Sequence, residues 1–484
     1  MEPQPGSPET SLKRSLPEII QGGMGIAVSN WKLAHTVSSM GQLGVVSGTA
    51  VDSVFVRRLQ DGDLGGHVRR AMEKFPIPGV AAEALRKYFR PDGRAPGTPY
   101  TMLPMCQQVM SKAREQIAIL AAFVEVHLAK EGHDGVVGMN LLTKIQMPNL
   151  PLLYGAMLAG VDYILMGAGI PREIPGVLDA LAKHQPAKLR LDVEGAPADR
   201  IEYLLFDPSA HWEGTPPIIK RPDFLPIIAS NSLATMLVRK ASGRVDGFVI
   251  EGPTAGGHNA PPRGGMKTED GSEPSYGARD VVDLTEIAKL GLPFWVAGGG
   301  GSPEKLREVR ALGAAGVQVG TLFAYCDESG LDDALRAKVL DHASRHEISV
   351  KTDWRASPTG YPFKVVSWGQ EGGSQVKRER CCDLGYLRTA YQMPDGRIGY
   401  RCASEPVDTY LAKGGDIEET TGRACLCNAL LSVIGQPQER EDGFVEPPVL
   451  TSGDDLVNIG VMMQGRTHYS AADVVHYLLD APRN

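Results

Sequence analysis

From residue 16 the chain settles into a rhythm. Short β-rich apolar runs, each closing near a glycine, alternate with amphipathic segments rich in Ala and Leu. The runs at 17–21 (PEIIQ), 43–47 (LGVVS), 135–140 (GVVGMN), 161–166 (VDYILM), 225–229 (LPIIA), 246–251 (DGFVIE), 293–297 (PFWVA) and 316–320 (GVQVG) read as strands. Continuous apolar runs suit parallel strands covered on both faces, and the helical segments between them make βαβ units. Eight such units predict a (β/α)8 TIM-type barrel over residues 16–346. An open doubly wound sheet satisfies the same pattern, because a sequence does not display closure.

Three stretches depart from the rhythm. Residues 52–130 are long for one crossover and predict added helices. Residues 188–224 alternate as KLRLDVE and RIEYLLFD before a Pro-rich stretch, which predicts a hairpin inserted ahead of the fifth strand. Beyond about residue 346 the βα alternation stops, and residues 347–484 read as a Cys- and Gly-rich module or lid with short helices near its end. Residues 1–15 hold three prolines and little to bury, and read as a flexible tail.

Composition narrows the class. A net charge of −7 gives no general drive toward nucleic acid. No apolar run reaches 18 residues, so no membrane span is expected. The polar N-terminus shows no signal peptide, and seven cysteines in a long chain suit a reducing compartment. The expectation is a cytoplasmic protein that acts on a small molecule, its oligomeric state undetermined.

The 56 glycines are clustered, and the clusters fall at predicted strand ends, the active-site face of a barrel. Gln21-Gly22-Gly23-Met24-Gly25 follows the first strand; it allows close approach of backbone to a ligand, or forms only a tight turn. Ala297 through Pro303, with Gly298 to Gly301 in succession, precedes a helix, and Gln318-Val319-Gly320-Thr321 ends the next strand. Free amides there predict a phosphate site, since barrels frequently hold phosphate after strands seven and eight. Glu251 to Asn259 (EGPTAGGHN) places His258 in a Gly/Pro loop, where it is either an acid–base group near neutral pH or structural. Asn140 ends the third strand, where its amide can meet a heterocycle edge, and Lys144 just beyond can offset negative charge on a reduced cofactor.

Taken together, IIQGGMG, LGVVSGTA, VGMN, GPTAGGHN and AGGGG followed by QVGT resemble the nitronate monooxygenase (2-nitropropane dioxygenase-like) family and its relatives, the FMN-dependent enoyl-acyl carrier protein reductases. The resemblance spans roughly residues 16–330. It implies a barrel holding FMN non-covalently, with Gly22, Gly23 and Met24 against the flavin ring, Asn140 hydrogen-bonded to it, and Gly299, Gly300, Gln318, Val319, Gly320 and Thr321 around the phosphate. Lys144 and Gly257 join the cofactor set, and His258 is the implied active-site histidine. The implied reaction is oxidation of alkyl nitronates or related small substrates by O2. The alternative is an NAD(P)H-dependent enoyl-thioester reductase working on a carrier-bound thioester beside a fatty-acid or polyketide synthase. A third reading, from another class, is a barrel that binds a phosphorylated ligand without redox chemistry. Asn259-Ala260-Pro261-Pro262-Arg263 departs from the further glycine common after GGH in the family, and suggests an anionic substrate or only a rigid loop.

Five cysteines, Cys381, Cys382, Cys402, Cys425 and Cys427, lie within 47 residues. The CC and CxC spacings lack the paired CxxC knuckles of zinc sites and the runs of iron–sulfur sites. Buried thiols in a compact lid or a redox thiol explain them, and no metal is expected; if one binds, Cys382, Cys402, Cys425 and Cys427 are the ligands.

Overall fold

The computed structural model describes residues 15–265, 274–368, 378–440 and 442–480. All but the last residue of the expected N-terminal tail lies outside them. Each of the eight apolar runs forms a strand: β1 (Ile19–Gln21), β2 (Gly44–Ser47), β3 (Val137–Leu142), β4 (Tyr163–Gly167), β5 (Asp223–Ile228), β6 (Phe248–Glu251), β7 (Phe294–Ala297) and β8 (Gly316–Val319). They pair in parallel in the order β1-β8-β7-β6-β5-β4-β3-β2. A parallel bridge between Ile20 and Leu43 joins β1 to the start of β2. Two backbone bonds carry that seam, from Gln21 N to Leu43 O (2.9 Å) and from Leu43 N to Ile19 O (3.0 Å). The sheet is therefore a barrel rather than an open sheet.

Burial on both faces explains the unbroken apolar runs. Ile20, Val45, Leu165, Leu225, Val249 and Trp295 fill the barrel interior, while the alternate residues, such as Ile19, Val46, Ile164 and Phe224, pack beneath the helices. The Trp295 indole donates to Pro17 O (2.8 Å) and plugs the end where the strands begin. The opposite mouth is left open for chemistry.

The long gap after β2 holds the helices Val51–Gln60, His67–Met72, Val80–Tyr88 and Lys112–Lys130. The predicted insertion is an antiparallel hairpin of Ala187–Leu191 with Glu202–Phe206, whose first strand alternates buried and exposed residues. The C-terminal stretch opens with an antiparallel pair, Ile348–Asp353 and Phe363–Trp368. A second pair, Thr389–Gln392 and Ile398–Arg401, is joined by Val193–Glu194. This stretch does not stand apart from the barrel. Leu384, Tyr386, Leu426 and Phe363 share one buried cluster with Ile26, Ala50, Val54 and Ile145 from the barrel mouth. The helix Ala471–Leu478 packs between the helices that follow β1 and β7, and so takes the helical position next to β8.

A buried polar contact ties these parts together. Asp52, fully buried at the start of its helix, accepts from the Arg114 guanidinium (2.5 Å) and from the Tyr386 hydroxyl (2.6 Å). Ser53 Oγ also hydrogen-bonds Tyr386 (2.7 Å). Removing one partner of a buried pair leaves the other charge uncompensated, at a cost of about 3–5 kcal/mol. Asp52→Ala is therefore expected to lower the thermal unfolding midpoint markedly, whereas Tyr386→Phe, which keeps the ion pair, is expected to cost only about 1–2 kcal/mol. Equal midpoints for the two variants would contradict this account.

Candidate active site

The glycine clusters meet in one cavity at the mouth formed by the strand C-termini. Gly22, Gly23, Met24, Asn140, Gly257, His258, Gly299, Gly300, Gln318, Val319, Gly320 and Thr321 all line it. Lys144 does not; it lines an adjoining chamber.

The first turn is fixed from beneath. The buried Gln21 amide donates to Gly22 O and to Ser29 Oγ (2.8 Å) and accepts from Val45 N (3.0 Å). Ser29 Oγ in turn accepts from Met24 N (2.9 Å) and donates to Gly22 O (2.8 Å). Glycine at 23 is required by space, because a Cβ there would sit 2.3 Å from Asn140 Cβ. The Asn140 side chain thus lies against bare backbone, and its amide makes no hydrogen bond among the described residues. Gln318 Oε1 is buried and likewise without a partner. Two polar amides without protein partners at one cavity are the chemistry of a heterocycle edge.

At the far end the backbone supplies an anion cradle. Gly298 (φ +89°) and Gly299 (φ +66°) are left-handed, and the amides of Gly299 and Gly300 find no acceptor among the described residues. Ser302 caps the following helix by accepting from Lys305 N (3.2 Å), with Pro303 at its first position. The Gly301 amide is already used: it donates to Asp455 (3.2 Å), whose carboxyl is raised by burial and by Asp454. No Lys or Arg lines this cavity among the described residues. A phosphate here would therefore be held by neutral amides, as the glycine run anticipates.

The C-terminal stretch builds the facing wall. Gly257 N donates to Thr451 Oγ1 (2.8 Å), Lys364 N to Gly257 O (2.9 Å), and Asn259 N to Pro362 O (3.0 Å). Thr321 Oγ1 accepts from Gly453 N (3.0 Å). His258 is pinned within this frame. Its Nε2 lies 2.7 Å from the buried Ser357 Oγ, and Phe363 packs edge-on at 4.8 Å. Burial, reinforced by the Lys144 charge, holds the imidazole well below its ordinary range, so His258 is neutral at pH 7.

Sequence reasoning passed over Glu251. It ends β6 and lines both the cavity and the adjoining chamber, as do Ala168, Ile227 and His258. Its place at a strand end was the signal available. Burial raises its carboxyl to about 7, with Lys144 opposing, and lowers Lys144 to about 7, with Glu251 opposing. Both retain some contact with chamber solvent, yet lie deep enough for desolvation to outweigh their attraction. Ser357 and Asp455 carried no motif at all.

All seven cysteines are free thiols. Cys382 interacts electrostatically with Cys402, and Cys425 with Cys427, and Cys427 lines the cavity. Among the described residues no group of three or more His, Cys, Asp or Glu side chains is placed to hold a metal ion.

Comparison with known proteins returns one family. Residues 219–359 match Nitronate monooxygenase. No curated protein matches the chain. Among solved structures, FabK from Thermotoga maritima is 16% identical, with 96% of this chain and 92% of that one covered and a TM-score of 0.45. A nitroalkane oxidase from Streptomyces ansochromogenes is 14% identical, covering 96% of each at a TM-score of 0.44. The enoyl reductase domain of MlnA, from the macrolactin biosynthesis cluster of Bacillus amyloliquefaciens, is 12% identical, covering 96% and 94% at a TM-score of 0.47. The matched family segment runs from just before β5 to Thr359, and so contains Glu251, His258, the glycine cradle, Gln318 to Thr321 and Ser357. Over this half of its barrel the chain is similar to the nitronate monooxygenase family.

Proposed function

We propose that this protein binds FMN and oxidises alkyl nitronates or related small substrates with O2. The observation that carries the reading is a single cavity with three matched parts. Unpartnered Asn140 and Gln318 amides lie beside a glycine turn, neutral backbone amides form an anion cradle at the far end, and His258 stands on the facing wall. FMN has a polar-edged ring and one phosphate, and these residues fit both. Gly22, Gly23, Met24 and Asn140 would hold the ring, with Gln318 at its edge. Gly299, Gly300, Gly320 and Thr321 would hold the phosphate through their amides. When bound, FMN supplies the two-electron acceptor that oxidation of a nitronate requires.

The chain's own residues set the stage for the substrate. Neutral His258, fixed by Ser357, offers a hydrogen bond without a competing charge. Phe363 and the apolar wall of Leu426, Leu430 and Val433 exclude water from the reacting face. Lys144 stands one chamber away, close enough to Glu251 and His258 to be felt electrostatically.

Two outcomes test the assignment. His258→Ala is expected to keep FMN and lose flavin reduction by an alkyl nitronate by about 100-fold or more, read anaerobically at the flavin band. Unchanged reduction would remove His258 from the reaction, and oxidation of NAD(P)H with an enoyl thioester in place of nitronate turnover would replace the reading with the reductase. Gln318→Leu removes a polar group that has no protein partner. It is expected to leave the thermal stability of flavin-free protein unchanged and to weaken FMN binding about tenfold, the equivalent of one hydrogen bond.

A further inference from the structure

The C-terminal stretch holds a group of thiols that the flavin reading leaves unused. Its segments around Cys382, Cys402 and Cys425 are separate in sequence, and side chains next to the cysteines lace them together. The Arg380 guanidinium donates to Ala403 O and to Glu405 O (3.0 Å), which lays the first segment on the second. Ser404 Oγ donates to Ala424 O (2.7 Å), which lays the second on the third. The Asn428 amide donates to Asp383 Oδ1 (2.6 Å) and to Cys425 Sγ (3.5 Å), which joins the third to the first.

Within this frame the thiols interact in two pairs. Cys382 interacts with Cys402, and Cys425, the N-cap of the helix Leu426–Val433, interacts with Cys427 in its first turn. The pairs also sense each other, since Cys382 feels Cys425, and Cys427 feels both Cys382 and Cys402. Their depth is graded. Cys382 is partly exposed, Cys402 and Cys425 are buried, and the buried Cys427 lines the glycine-lined cavity. Arginines accompany them: Arg388 is felt at Cys382, Arg380 at Cys402 and Arg378 at Cys425. A guanidinium beside a thiol favours the thiolate, the form that exchanges with disulfides. Thiols that only fill space are inert in apolar surroundings and need no cation beside them.

We propose that these four cysteines are two dithiol–disulfide couples that carry an electron pair from a dithiol substrate at the surface to the cavity, the inner end resting on the FMN reading above. All four are thiols here, which is the reduced state of both couples.

Each step is a balanced exchange. In the oxidised protein a substrate thiolate attacks Cys382, the partly exposed sulfur. The Cys382–Cys402 bond breaks and its electron pair stays on Cys402. In the reduced pair the Cys382 thiol and the Ser404 amide hold Cys402 below the usual thiol range, which marks it as the sulfur that leaves and later resolves. The second thiol of the substrate displaces Cys382 from the mixed disulfide. The substrate departs as a disulfide, and its two protons end on Cys382 and Cys402. Cys382 then attacks Cys425 of the inner disulfide, Cys427 leaves, and Cys402 displaces Cys425 to close the outer disulfide again. The two protons pass inward with the electron pair. The inner dithiol closes in turn by giving two electrons and one proton to FMN in the cavity and the other proton to water.

The remaining cysteines take no part. Cys106 is pushed up to about 11 by burial, and burial raises Cys326 likewise. Cys381 is raised by burial and by Asp383.

Peptide mapping reads the couples independently of flavin. After anaerobic exposure of the full-length protein to oxidised glutathione, Cys382–Cys402 and Cys425–Cys427 are the expected disulfides, with Cys106 and Cys326 alkylated as thiols after unfolding. Cys382→Ser, at a partly exposed position, should slow formation of the inner disulfide by about tenfold or more. In the FMN-loaded protein, anaerobic dithiothreitol should bleach the flavin band about tenfold or more faster than it bleaches free FMN. Cys382→Ser should remove that advantage and leave reduction by an alkyl nitronate unchanged. Thiols that stay free in the wild-type chain, or that react only after a chelator strips a metal ion from them, would overturn the proposal. So would both disulfides forming in an FMN-loaded protein that dithiothreitol bleaches no faster than free FMN. A protein that forms both disulfides and binds no FMN would overturn the inner step together with the function on which it rests, and would leave two couples that exchange with external thiols alone.

Discussion

Gly256 and Gly453 meet backbone to backbone, and the mouth of the barrel is organised around that contact. A Cβ on Gly256 would lie 2.8 Å from Gly453 N, and one on Gly453 would lie 2.8 Å from Thr321 Oγ1 and 3.0 Å from Thr254 O. Only a bare backbone allows the C-terminal segment to lie this deeply across the loops that follow β6 and β8. From that contact the neighbouring bonds follow: Asp454 N to Thr254 O, Gly453 N to Thr321 Oγ1, Gly257 N to Thr451 Oγ1, and Gly301 N to Asp455 Oδ2. They hold His258 at the angle from which Ser357 can reach it, and they close the cavity on the side away from the first glycine turn.

The same geometry separates two kinds of electrostatics. The glycine-lined cavity contains an anion cradle made of neutral amides, with an acidic side chain, Asp455, on its rim and no cation on its wall among the described residues. The adjoining chamber contains the charges, Lys144 and Glu251, each largely shielded from water and, among the described residues, without a hydrogen bond or ion pair. Backbone amides bind an anion without a side chain that must be ordered or desolvated. Side chains driven toward neutrality by burial are the ones suited to moving protons at pH 7. The two chambers remain connected through four residues common to both, Ala168, Ile227, Glu251 and His258.

Legibility in the sequence followed the range of the interactions. The eight strands were readable because each is covered on both faces and so is apolar without interruption. The inserted hairpin was readable because Ala187–Leu191 is covered on one face and alternates. The glycine clusters and His258 were readable because they fall at strand ends, and the fold brings them to one cavity. What escaped depends on contacts across hundreds of residues. Nothing in Ala471–Leu478 marks it as the helix that completes the barrel's outer ring. Ser357 acquires its role only when the hairpin brings it to His258, 99 positions earlier. Lys144 was placed with the cofactor on the strength of its strand end alone, and the side chain instead turns over Tyr361 into the adjoining chamber. The clustered cysteines, expected as buried thiols, are free thiols, and Cys427 among them lines the cavity.

The account stands or falls on what fills the glycine-lined cavity, and the visible absorption spectrum of the purified protein reads that most directly. A two-band flavin spectrum, with stoichiometric FMN released on heating, is the predicted result. A colourless protein that takes up no added FMN would contradict it and leave a barrel with an anion cradle and no redox chemistry.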